Sequence, residues 1–256
     1  MLRRLFSALT AAPAADIACG AIPDDQRVYA VGDIHGRLDL LDDLLSRIEA
    51  DDAARPDAET SLIFLGDLVD RGPSSAQVVE RLLGLSRSGR RVRFLMGNHE
   101  EVFLRALSGD SHALPFFLRI GGKPTVLSYG MDEETYRKAD YPQLHAWMKA
   151  HVPADHVAFL ESFEDMIVVG DYVFVHAGIQ PRLPLTEQPA AALRWVREEF
   201  LSHPHPFEKI VVHGHTISDD VEETGNRIGL DTGAYASGRL TAMGFERDTR
   251  WTLQTG

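Results

Sequence analysis

Three times in the first hundred residues an apolar run of strand length ends on a glycine followed by a metal-capable side chain. The junctions are Val31-Gly32-Asp33, Leu65-Gly66-Asp67 and Met96-Gly97-Asn98. Helical periodicity follows each of them. Leu38, Leu41, Leu44, Leu45 and Ile48 share one face, as do Val78, Val79, Leu82 and Leu83, and a third helix enters through Phe103, Leu104 and Leu107. Strand–loop–helix units in series predict a parallel sheet, and ligands of open α/β sheets bind at the carboxyl ends of the strands. Asp33 and His35 stand two residues apart, so a persisting strand conformation would project both from one side of the backbone. Gly36 then permits a sharp turn into the helix.

Beyond this repeat, residues 108–164 are rich in aromatics and helix formers, broken at Gly121-Gly122 and Gly130. They read as a mainly helical insertion bordering the site. Two short apolar runs flank Gly170-Asp171, the signature of a tight hairpin, which delivers His176. Later runs at 210–212 (ending at His213-Gly214-His215), 228–230, 240–244 and 250–253 are expected to form a second sheet packed on the first. Residues 1–26, rich in Ala and Pro, read as a loosely ordered leader, and 27–256 as one domain. The expected class is α/β, two packed mixed sheets forming a β-sandwich flanked by helices.

Composition removes several functions. A net charge of -12 argues against a broad nucleic-acid-binding face, because backbone phosphates would be repelled. Cys19 is the single cysteine, so a thiolate-rich metal site is excluded and Asp, His and Asn must hold any metal. No stretch approaches the roughly 20 apolar residues of a membrane span. The expected location is cytoplasmic, with neither nucleic acid nor membrane as a partner.

Five motifs stand in order: Gly32-Asp33-Ile34-His35-Gly36, Gly66-Asp67-Leu68-Val69-Asp70-Arg71-Gly72, Gly97-Asn98-His99-Glu100, Val175-His176-Ala177-Gly178 and His213-Gly214-His215-Thr216. Over about residues 27–253 the chain resembles the binuclear metallophosphoesterases, specifically PPP-type serine/threonine protein phosphatases in their bacterial and phage branch. The resemblance implies a four-layer fold and two divalent cations, Mn²⁺ foremost with Fe or Zn²⁺ as alternatives. It places Asp33 and His35 on one metal, Asp67 as the bridge, and Asn98, His176 and His215 on the other. A mixed oxygen and imidazole donor set without sulfur suits such ions.

The same resemblance assigns the remaining roles. Arg71 and Arg197 clamp phosphate together with Asn98 and His99, and Arg194 is the fallback for Arg197. His99 donates a proton to the leaving oxygen, oriented by Asp70. Attack by a metal-bridging hydroxide is direct and in line, without a phosphoenzyme. His213 reads as a structural neighbour rather than a ligand.

The expected activity is that of a phosphomonoesterase acting on phosphoserine and phosphothreonine in proteins, with phosphotyrosine and small phosphoesters as further substrates. The alternative is a symmetrical dinucleoside polyphosphate hydrolase. Asp70 before Arg71, and Glu100 after Asn98-His99, are read as favouring the protein phosphatase. A non-catalytic metal-binding module is the third reading, disfavoured by the complete set of ligand types.

Overall fold

The computed structural model describes residues 20–256. Its first sheet is built from β1 (Gln26–Val31), β2 (Glu59–Phe64) and β3 (Arg91–Phe94), all parallel. Helices α1 (Leu38–Ala53), α2 (Ser75–Ser86) and α3 (Asn98–Ser108) follow them in turn. The series of strand–loop–helix units is therefore present as the periodicity predicts. The stretch after α3 is helical, comprising α4 (Ala113–Phe117), a π-helical turn (Leu118–Gly122), α5 (Lys123–Ser128), α6 (Glu133–Lys138), α7 (Tyr141–His151) and α8 (Ala154–Glu161).

A second sheet follows, from β4 (Met166–Val169), β5 (Tyr172–Val175), β6 (Ile210–His213), β7 (Glu222–Glu223) and β8 (Arg227–Gly229), in the order β4-β5-β6-β8-β7. The short helices α9 (Ala190–Trp195) and α10 (Glu198–Leu201) join β5 to β6, and α11 (Ala234–Ser237) follows β8. The last two strands, β9 (Thr241–Glu246) and β10 (Thr249–Gln254), depart from expectation. They return to the first sheet, whose order is β10-β9-β1-β2-β3, instead of extending the second. The reason is the open edge of β1. Antiparallel pairing with β9 satisfies its backbone groups, which burial would otherwise leave unpaired.

Side-chain alternation distributes the core into layers. Val28 and Ala30 of β1 join Phe174, Val212, Ile228 and Phe245 between the sheets, while Tyr29 and Val31 face Leu41, Leu44 and the other helices of the first sheet. On the far side of the second sheet Val173, Val175 and Val211 pack against Leu193 and Phe200. The order is helices, sheet, sheet, helices, the α/β sandwich expected from the sequence.

One expectation about the leader is revised. Ile22 lies in the inter-sheet core at 3% exposure, and the Gly20 and Ala21 carbonyls accept from the Tyr172 hydroxyl and the Asp171 amide. Order thus begins ahead of residue 27. Residues 1–19, including Cys19, lie outside the described residues. Among the described residues no helix is long and apolar enough to cross a membrane.

Candidate metal centre

The loops leaving β1, β2 and β6 meet at one end of the two sheets, and their backbone is strained there. Among the described residues six that are not glycine have positive φ, and five of them are His35, Asp67, Asp70, Arg71 and His215. Each such conformation costs of order 1–3 kcal/mol and persists only where surrounding contacts impose it. His35, at φ 46, corrects the alternation argument: β1 ends at Val31, and the side chains of Asp33 and His35 are aimed by a left-handed turn rather than by a continuing strand.

Two groups of buried donors converge in this space: His35, Asp67 and His99, and Asp67, His176 and His215. Asp67 belongs to both, as a bridging carboxylate must. His35 directs Nδ1 to the Val69 carbonyl at 2.8 Å, so that nitrogen carries the hydrogen and Nε2 presents a bare lone pair 3.6 Å from Asp67 Oδ2. His176 repeats the device, with Nδ1 on the Leu65 carbonyl at 2.7 Å and Nε2 facing Asn98 Oδ1 at 2.9 Å and Asp67 Oδ1 at 3.4 Å. His215 Nδ1 lies 2.8 Å from the same Asn98 oxygen and 3.2 Å from His176 Nε2. Burial keeps these imidazoles neutral, pushing His35 down to about 3 and holding His176 and His215 below the usual histidine range. The converging imidazole nitrogens, Asn98 oxygen and Asp67 carboxylate form a donor set that fits a cation-binding site.

Carboxylates give the same indication. Burial, then the neighbouring charges of Asp231 and Asp67, hold Asp33 well above the usual carboxylate range. Burial also opposes ionisation of Asp67, yet histidine charge around it holds it below that range, His99 being the one of these imidazoles that is itself raised. Asp33 approaches the other half of the centre by accepting from the His215 amide at 3.0 Å.

Around this core stand groups suited to proton and phosphate chemistry. His99 Nδ1 donates to Asp70 Oδ2 at 2.7 Å, both side chains being buried. Burial disfavours the imidazolium, but the carboxylates of Asp67 and Asp70 outweigh it and raise His99 above its ordinary value. Its Nε2 faces the Arg71 guanidinium, whose two ends lie 3.1 Å from it and 3.0 Å from His35 Nε2. A nitrogen that holds a cation or a proton cannot accept from arginine, so these two contacts exist only while both imidazole nitrogens are free. Arg197 is exposed, and its charge reaches His176 and His215, helping to disfavour their protonated forms. Arg194 is instead tied to Asp165 at 2.7 Å and Glu101 at 3.4 Å. His213 is buried beside the Phe200 ring and outside both donor groups, consistent with a structural part.

Several residues at the centre carry parts the sequence reading left unassigned. Glu100 accepts four backbone N–H groups, from Asp67 and Leu68 at 2.7 Å and from Gly97 and Val69 at 3.1 and 3.2 Å. It thereby fixes the loop carrying the bridge. Its signal was the capping-box position, three residues past Gly97. Asp231, at the end of the Leu230 run, sits beside Asp33 with Oδ2 buried and unpartnered. Tyr235 stands on the rim at 36% exposure, its ring 5.4 Å from His35 and 4.9 Å from the Arg71 guanidinium. Nothing in the local sequence marks it, because only the turn at Gly233 brings it over the first sheet's loops.

Comparison with known proteins agrees with this geometry. Residues 26–245 match the family of calcineurin-like phosphoesterases. The chain is 25% identical to the asymmetrical bis(5'-nucleosyl)-tetraphosphatase PrpE of Anoxybacillus flavithermus, over 84% of this chain and 89% of that one. It is 30% identical to a symmetrical bis(5'-nucleosyl)-tetraphosphatase of a Janthinobacterium species, over 60% of this chain but only 44% of that longer relative. A solved structure provisionally described as a diadenosine tetraphosphatase superposes with a TM-score of 0.63 at 22% identity, covering 91% of this chain and 95% of that one. A cold-active protein-tyrosine phosphatase from a Shewanella species gives 0.54 at 19% identity, over 91% and 83%. At such identities the structural matches speak for the fold. With the family match spanning nearly the whole described chain and the donor groups at the loop ends, the chain belongs to the calcineurin-like phosphoesterases, metal-dependent hydrolases of phosphoric esters.

Proposed function

We propose that the protein cleaves the phosphate chain of bis(5'-nucleosyl) tetraphosphates. The observation that carries this reading is likeness to a bis(5'-nucleosyl)-tetraphosphatase along most of both chains. The rim agrees with it, since the exposed face of Tyr235 beside Arg71 offers a nucleobase a stacking surface next to a phosphate clamp. Asp33, His35, Asp67, Asn98, His176 and His215 would hold two divalent cations, with Mn²⁺ the first choice for this donor set. Such cations, when bound, neutralise phosphate charge and lower the pKa of water. The chain supplies the rest. Arg71 and Arg197 bind and align phosphate oxygens, Asp70 orients the imidazole of His99, and His99 Nε2 delivers a proton to the leaving oxygen.

A second reading, phosphomonoester hydrolysis on phosphoserine and phosphothreonine, is favoured by one observation. The buried His99–Asp70 pair is a proton donor, and an alkoxide needs protonation on departure far more than a nucleotide phosphate does. Rates on a dinucleoside tetraphosphate and on phosphoserine and phosphothreonine peptides, measured side by side with Mn²⁺, separate the two. The first reading expects the dinucleotide to have the higher kcat/KM by about tenfold or more, the equivalent of 1.4 kcal/mol in transition-state binding. Faster turnover of the peptides would overturn it in favour of the second.

A further inference from the structure

The helical insertion reaches the proton donor through one buried hydroxyl. Asp70 and Arg71 are consecutive left-handed residues, at φ 72 and 67. Their amides, which cannot join any regular ladder in that conformation, are taken up largely from the insertion. The Arg71 amide donates to the Gly121 carbonyl at 3.0 Å. That of Asp70 is shared between Ser75 Oγ at 3.0 Å and Thr125 Oγ1 at 2.9 Å. Thr125 then donates its own hydroxyl to Asp70 Oδ1 at 2.7 Å, while Asp70 Oδ2 accepts from His99. Thr125 is fully buried. Gly121 is placed as closely: at φ 121, in the π-helical turn, it leaves 2.8 Å between a would-be Cβ and Arg71 Cγ. The same stretch is fastened to α2, with Ser128 Oγ accepting from the Ala76 amide at 3.0 Å.

We propose that Thr125 is a positioning residue for proton donation by His99, acting through Asp70. The chain Thr125 hydroxyl, Asp70 carboxylate, His99 imidazole uses both oxygens of Asp70. The carboxylate therefore has one orientation, and so has the ring it steers. Proton transfer depends on that orientation only when the leaving group needs the proton. Loss of the hydroxyl should consequently be selective among substrates, whereas simple loosening of the fold would lower all rates alike. The inference rests on the general-acid part given to His99 and is independent of the choice between nucleotide and phosphoprotein substrates.

The test compares the Mn²⁺-loaded wild type with Thr125→Val, Thr125→Ser and His99→Asn on aryl and alkyl phosphates of graded leaving-group pKa, with bound metal measured by elemental analysis. A positioned general acid contributes 10²–10⁴-fold, so Thr125→Val should lose about tenfold or more in kcat on alkyl phosphates and under about threefold on p-nitrophenyl phosphate. Thr125→Ser should restore the wild-type pattern, and metal content should not change. His99→Asn should keep its metals and show the steepest leaving-group dependence. If His99→Asn shows no steepening, the general-acid reading itself fails. If His99→Asn steepens while Thr125→Val lowers every substrate equally, or Thr125→Ser fails to restore the pattern, the positioning role is overturned. Should Thr125→Val not fold, Thr125→Ala carries the same comparison.

Discussion

The two halves of the metal centre are built on opposite plans. Loops of the first sheet supply Asp33, His35, Asp67 and the Asp70–Arg71 pair, four of these five in left-handed backbone, with bonds from Glu100, Ser75 and Thr125 imposing the shape. The second sheet supplies His176 immediately after β5, on ordinary backbone, and His215 two residues past the end of β6. Here side chains are what remains open. All four buried side-chain atoms without a hydrogen-bond partner among the described residues lie at this sheet's carboxyl edge, on His213 at the end of β6 and on His215, Thr216 and Asp231 in the loops after β6 and β8. The first half is a cradle held by backbone strain at four residues, and the second, strained only at His215, is the half that leaves buried side-chain atoms open.

Asp67 is the point where the plans meet, and removing its charge gives the largest expected effect. Asp67→Asn keeps the size of the side chain but takes a carboxylate oxygen from both donor groups at once. Elemental analysis should show binding of both cations weakened together, with turnover falling below about 1% of wild type, as expected when a two-metal site is dismantled. Loss of one cation with the other retained at full affinity would show that the halves are independent sites.

A smaller effect tests whether the cradle is held in place by its buried acid. Glu100→Gln offers one acceptor oxygen and an NH₂ group where two oxygens receive four amides. Leaving buried amides unsatisfied costs about 1–3 kcal/mol, which for a domain of this size corresponds to a lowering of Tm by several degrees. The metal-free protein should show this loss in thermal unfolding, because the cradle precedes the metal. A Tm unchanged without metal and lowered only with it would mean that the cations, not Glu100, shape the first half.

Legibility from sequence follows the same division. Strand-to-loop junctions were readable because glycine, a metal-capable side chain and an apolar run lie within a few residues, and the packed second sheet was readable because the strand–helix units leave an apolar face to be covered. Two features were not. The return of β9 and β10 to the first sheet depends on which strand edge is left open, a property of the assembled sheets that no local pattern carries. The contributions of Thr125, Asp231 and Tyr235 depend on long-range placement, as the separation of 55 positions between Thr125 and Asp70 illustrates. Glu100 is an intermediate case: its capping-box position was visible, but its hold on the Asp67 loop required that α3 start beside β2.

His213 allows the smallest and cleanest test, since it belongs to the open half and to neither donor group. Burial pushes it down to about 4 in the folded protein, against 6.5 when exposed. Below pH 6.5 the unfolded chain therefore binds a proton that the folded chain refuses. Its contribution is at full value above pH 6.5 and is lost progressively as pH falls toward 4, with a slope of about 1.4 kcal/mol per pH unit in the middle of that window. His213→Asn retains a donor for the Gly214 carbonyl, which now accepts from Nδ1 at 3.0 Å, and removes the titration. Denaturant unfolding of the metal-free proteins at pH 7, 6, 5 and 4.5 should show the variant losing stability less steeply than the wild type. The same subtraction applied to His35→Asn should extend the window further, toward its lower value of about 3, because burial holds His35 further down than His213. Parallel curves for wild type and His213→Asn would show that His213 takes up its proton without unfolding, leaving the open half as adaptable as its unpaired atoms imply.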